Sequence, residues 1–160
     1  MRFTFVLIAA SAALCQAGVF TQQTYDDISI SGGVAGNAQN EALAVFSALD
    51  TNDLANVDKA DLDFLNSVNQ ICNDAEDEAF NPAIDAASGD AADALQRGKI
   101  KNKVLKLTAS VLKLQAQVAQ GEDVQATLDE EQTKLNNNIQ QDEDEAGKAS
   151  TALQFDATTD

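Results

Sequence analysis

Residues 90–121 read DAADALQRGKIKNKVLKLTASVLKLQAQVAQG, and this stretch decides the fold. Ile100, Val104, Leu107, Val111, Leu114 and Val118 recur at alternating spacings of four and three. A helix with 3.6 residues per turn brings such positions to one face. Leu105 and Leu112 widen the stripe. Ser88-Gly89 reads as the turn before this helix, Asp90 as its N-cap and Gly121 as its stop. Gly98 lies inside it and is expected to weaken it by about 1 kcal/mol relative to alanine.

Upstream, Leu65, Val68, Cys72, Ala75 and Ala79 follow the same alternation. Asp58 is the expected N-cap, with Val57 and Leu62 at the staple positions around it. Pro82 is expected to kink or end this second helix near Asn81. A shorter first helix is expected from Asn37, with Leu43, Phe46 and Leu49 on its apolar face. Downstream, a fourth helix is expected from Asp123, with Leu128, Leu135, Ile139, Ala146 and Leu153 marking its face. That face is poorer, since Gln132 and Asp142 stand where apolar residues belong. The short turns make neighbouring helices antiparallel. The expected architecture is all-α: an up-and-down helical bundle of three long helices plus one shorter, over residues 37–155. Each long helix would run about 45 Å at 1.5 Å per residue. Residues 18–36 read as an irregular lead-in in which Tyr25, Ile28 and Ile30 form a short extended piece, and residues 156–160 as a frayed tail. Turns this short favour a monomer over an intermolecular coiled coil.

The chain opens MRFTFVLIAASAALCQAG. Arg2 supplies a positive start, Phe3 to Leu14 an uncharged and mostly apolar run, and Cys15-Gln16-Ala17 small residues at −3 and −1. This is the pattern of an export signal, residues 1–17, cut after Ala17. A cut after Ala12 is the second option. The apolar run is too short for a membrane span, which needs roughly 20 residues. The protein is expected to be secreted.

The full chain carries 26 acidic and 10 basic side chains, a formal charge of −16, and no histidine. Histidine-based triads and the usual zinc sites are therefore excluded. The negative charge argues against a nucleic-acid partner. No acidic run has the order of an EF-hand loop, and no G-x-S-x-G elbow occurs. Cys72 sits on an apolar face with no histidine to activate it and reads as structural. No catalytic residue, metal or cofactor is expected, and the chain is read as a non-enzyme. Two groups of residues remain as candidates. Lys99, Lys101, Lys103 and Lys106 form a basic cluster, either a binding surface or internal partners for the acidic runs Asp74 to Glu78 and Asp142 to Glu145. Folding the two hairpins places both runs beside the lysines, which favours internal neutralisation. Val68, Ala75, Val104 and Leu107 are the candidate lining of an apolar pocket, where small alanines facing the third helix would leave room for a ligand.

Four strings carry a resemblance: TYDDISISGGVAGNA at 24–38, VDKADLDFLNSVNQ at 57–70, GKIKNKVLKLTA at 98–109 and TKLNNNIQQD at 133–142. The chain resembles a family of uncharacterised small secreted proteins of filamentous ascomycete fungi across nearly all of its mature length. The resemblance implies a fungal origin, secretion, and a role at the cell surface or, as an effector, in a host. It transfers no activity and no site residues. The leading expectation is contact with a cell-wall, secreted or host partner. The alternative is an extracellular carrier of a fatty acid or sterol in the bundle core.

Overall fold

The computed structural model describes residues 18–160. The fold is an all-α bundle. In chain order the helices are α1 (Tyr25–Ile28), α2 (Ala38–Val45), α3 (Lys59–Ala75), α4 (Asn81–Ala86), α5 (Asp90–Ala119) and α6 (Gln125–Asp144). A 3-10 turn, Leu54–Asn56, precedes α3. None of the helices is long and apolar enough to cross a membrane.

The 30-residue α5 is the hub, and α3, α6 and α2 all pack against it. The stripe read from sequence faces the core: Ile100, Val104, Leu107 and Val111 are buried, with Leu105 and Leu112 beside them. Leu65, Val68, Ile71, Cys72 and Ala75 of α3 and Leu135 of α6 complete the same apolar cluster. Gly89 and Gly121, both at positive φ, make the two reversals. The expected bundle is present, but its helices are unequal. Only α5 reaches about 45 Å; α6 has 20 residues and α3 has 17.

Pro82 acts at a distance from itself. The α-helix ends at Ala75, a wide π turn spans Glu76–Phe80, and α4 restarts with the proline in its first turn. A proline has no N–H to return to the turn behind it, so it is best tolerated where a helix begins. The Asn81 N–H reaches back five residues to Glu76 instead of four.

Three expectations are corrected. Tyr25 and Ile28 are not extended: they lie on the single turn of α1, fully buried. Its cause is local. Thr24 and Asp27 form a capping box, each side chain accepting the other's backbone N–H. The fourth helix does not run on through Leu153; it stops at Asp144, and Gly147 at positive φ turns the chain away. Residues 156–160 do not fray. Thr159 is fully buried, donates its backbone N–H to Gln23 O at 2.9 Å, and accepts the Gln23 N–H on its hydroxyl. The two terminal segments run together, with bridges between Thr24 and Thr158 and between Val34 and Ala149. Each satisfies backbone groups that the other would leave open.

Asp142, at a position expected to be apolar, is buried and accepts the Ala38 N–H at 2.8 Å. It caps the start of α2 from a different helix. The local cap residue, Asn37, makes no such bond, because its side chain is engaged with Asn40.

Candidate functional site

The basic cluster is dispersed by the geometry of α5. Lys101 points into the protein and is 1% exposed. Its ammonium donates to Gly32 O at 2.7 Å and Val34 O at 3.1 Å, and pairs with Glu41 at 2.8 Å. Lys103 and Lys106 both reach Glu76, at 2.9 and 3.1 Å. Lys99 donates to the Asn81 side chain at 3.0 Å. The lysines therefore hold the lead-in, α2, the π turn and α4 onto α5. The hairpin geometry read from sequence is the reason: one acidic run supplies Glu76 to Lys103 and Lys106, and the other supplies Glu145 to Arg97 at 3.1 Å.

Every basic side chain among the described residues has a partner, an ion pair for all but Lys99 and Lys113, which donate to asparagine. Lys59 pairs with Asp63, Lys134 with Glu131 and Lys148 with Glu145, while Lys113 donates to Asn66. Only five of the 26 carboxylates take part in ion pairs, which leaves the other 21 without a cationic partner among the described residues. The outer surface is consequently acidic. Asp123, Asp129, Glu130, Glu143 and Asp144 are exposed along or just before α6.

A cleft of about 730 Å³ lies between the start of α5 and the end of α6. Asp90, Asp93, Asp144 and Glu145 line it, with Arg97 and Lys148. Both cations are spent on Glu145, so Asp90, Asp93 and Asp144 face solvent without a cationic partner among the described residues. A smaller cleft of about 280 Å³ separates α3 from α6 and is lined by Leu65, Asn66, Asn69, Ser110, Lys113 and Thr127, among others. Ser110 and Lys113, which share a helix face, are not directed at each other. Ser110 accepts from Asn69 at 2.6 Å, and Lys113 donates to Asn66 at 2.8 Å.

Val68, Ala75, Val104 and Leu107 are brought together, but as core. All four are buried in the main apolar cluster and line neither cleft. Cys72 is buried among them, and burial pushes its thiol up to about 12. That leaves no thiolate at neutral pH. The cleft between α5 and α6 escaped the sequence reading, because isolated carboxylates at 90, 93 and 144 give no spacing signal.

Glu76 has a pH consequence. Burial pushes its carboxyl up, but hydrogen bonds from Lys103 and Lys106, and their charges, outweigh this and hold it below the usual carboxylate range. A folded-state value below the unfolded one adds stability that is fully present above the unfolded value, near 4.3, and is lost as pH falls through the folded one. Glu76→Gln should therefore cost about 1 kcal/mol at pH 7. The difference from wild type should shrink on going from pH 7 to about pH 3, as the carboxylate is protonated. Urea midpoints at the two pH values measure it, and an equal loss at both would show that the charge is not what matters.

The bundle and its acidic cleft define an all-helical protein, and family membership rests on the sequence. The chain belongs to the family described as Domain of unknown function (DUF8454), whose sequence model matches residues 20–154. No curated protein and no solved structure matches.

Proposed function

We propose that the protein is exported and acts outside the cell as a non-enzymatic contact protein whose partner presents positive charge. The observation that carries this is the charge geometry: every described basic side chain is tied up, and 21 carboxylates are left over. Such a surface attracts cationic groups at long range and repels phosphate-rich polymers and anionic headgroups. Export is supported by the pattern of residues 1–17, which lie outside the described residues. The resemblance to secreted fungal proteins points to cell-wall, secreted or host components as the pool of partners. The cleft between α5 and α6 is a concave part of the acidic surface lined by Asp90, Asp93 and Asp144, where a lysine, arginine or amino-sugar group can seat. The carrier reading is the weaker one, because the residues that would line its pocket pack against one another in the core.

The test is a pull-down from the producer's cell wall and medium with the purified protein. Replacing Asp90, Asp93 and Asp144 together with asparagine should weaken capture of a basic partner about tenfold, equivalent to roughly 1.4 kcal/mol. Salt at about 0.5 M should have a similar effect. Capture that ignores both changes would overturn the electrostatic reading. Hydrolytic activity that disappears on changing one or two carboxylates would overturn the non-enzymatic one.

A further inference from the structure

Asp61 is a buried charge in search of a partner. It stands in the first turn of α3 and is 3% exposed. One oxygen, Oδ1, accepts the Phe20 N–H at 3.1 Å. No lysine or arginine pairs with it among the described residues: Lys59, two positions away, is bound to Asp63. The field of the helix N-terminus favours a carboxylate there, but a buried carboxylate remains costly without a counter-charge.

Gly18 lies directly against this group. A Cβ placed on it would come within 2.5 Å of Asp61 Oδ1, 3.0 Å of Asp61 Cγ and 3.1 Å of Ala60 Cβ. Any larger residue here would push the carboxylate from its present position. The backbone is held there from the next turn of chain, since the Phe20 ring stacks on Phe64 at 4.4 Å and meets Phe46 edge-on at 6.3 Å. Covalent geometry then puts the Gly18 nitrogen within about 5 Å of Oδ1. In the uncut chain that nitrogen is a neutral amide. Cut between Ala17 and Gly18, it is an ammonium.

We propose that an export-linked endopeptidase cuts the Ala17–Gly18 bond and that the α-amino group so released pairs with the buried carboxylate of Asp61. Water adds across the peptide bond. Ala17 leaves with the new carboxylate, and Gly18 keeps the amino group, which takes up a proton at neutral pH. The pair ties the first residue of the mature chain to the start of α3, so the fold is completed by its own processing. This rests on the export reading above. A cut after Ala12 would leave five extra residues and carry the ammonium away from Asp61.

The experiment expresses the full-length sequence through a secretory host and purifies the product from the medium. Its intact mass fixes the first residue and tests export processing alone. Pairing is tested in a cycle: the protein with its α-amino group free or acetylated, each with Asp61 intact and with Asp61→Asn. Acetylation should lower Tm by about 3–6 °C when Asp61 is present and by less than about 1 °C in the Asp61→Asn protein. Equal shifts in both backgrounds, or no shift in either, would overturn the pairing even if the mass begins at Gly18. A product that begins elsewhere would overturn the proposed cut, and the same cycle on a chain made to begin at Gly18 would then judge the pairing separately.

Discussion

Lys101→Met should lower the stability of the folded chain by about 3 kcal/mol, with a Tm fall of about 10 °C. Methionine preserves the length and most of the volume of the side chain, so little of the loss comes from a cavity. The ammonium has three donors, and all three are used, on Gly32 O, Val34 O and Glu41. Removing them strands two carbonyls and one carboxylate. Glu41 is 33% exposed and can rehydrate in part, so the figure sits at the low end for breaking a buried ion pair. The two carbonyls lose donors that hold the Gly32–Val34 segment against α5, and they add to the cost. The damage should be local before it is global. Residues 30–36 and the start of α2 should lose hydrogen-exchange protection first, because Lys101 is what holds them to α5. Lys103→Met is the control: Glu76 keeps Lys106, so its cost should stay under about 1 kcal/mol. Equal losses for the two variants, by urea denaturation, would refute the clamp.

Lys101 also shows where sequence reading stops. The alternation of four and three along residues 100–118 depends only on helical geometry and apolar side chains, so it is visible without coordinates. The antiparallel order of α3, α5 and α6 follows from two short turns. Placing acidic runs beside the lysines follows from the same turns, and Glu76 and Glu145 are found there. The direction in which Lys101 points does not follow. A lysine in a helix is ordinarily solvated, and its acceptors are backbone carbonyls 67 and 69 residues away. Backbone carbonyls have no signature in sequence. Asp142 is the same case, since its partner is the Ala38 N–H, 104 residues distant.

The order of the terminal segments is hidden from sequence for a related reason. Both are polar and broken by glycine or short runs, which locally signals loop or fraying. Their order comes from each other and from α5, through Tyr25 O–H to Asn102 at 2.8 Å, Ser150 O–H to Ser31 O at 2.6 Å, and the Phe155 ring against Tyr25 at 5.7 Å. The capping box of Thr24 and Asp27 was the one local signal that could have revealed α1. For the candidate site, the lysines were legible as internal partners. The unneutralised Asp90, Asp93 and Asp144 became a feature only once the distant ends of α5 and α6 were seen side by side.

Gly98→Ala separates local propensity from tertiary contact, because the two predict opposite signs. Inside a helix, alanine is preferred over glycine by about 1 kcal/mol, so propensity alone predicts a gain. In the folded protein, however, Gly98 is buried where the C-terminal segment crosses α5. Thr151 donates its N–H to Ala94 O at 3.0 Å, one turn before Gly98. A Cβ at Gly98 would overlap the Thr151 carbonyl oxygen and sit 3.1 Å from the Phe80 ring. The oxygen belongs to backbone and cannot rotate away, so the segment must lift. Lifting it breaks the bond to Ala94 and works against the neighbouring contacts of Ser150 with Gly33 and Ser31. Overpacking of this kind costs about 1–3 kcal/mol, plus about 1 kcal/mol for the lost hydrogen bond. The clash therefore outweighs the propensity gain, and the net effect should be a loss of about 2 kcal/mol. Ala91→Gly, in the exposed first turn of the same helix, should lose no more than about 1 kcal/mol by propensity alone. Thermal denaturation of both variants decides the matter: a rise in Tm for Gly98→Ala would mean that the C-terminal segment does not lie against α5.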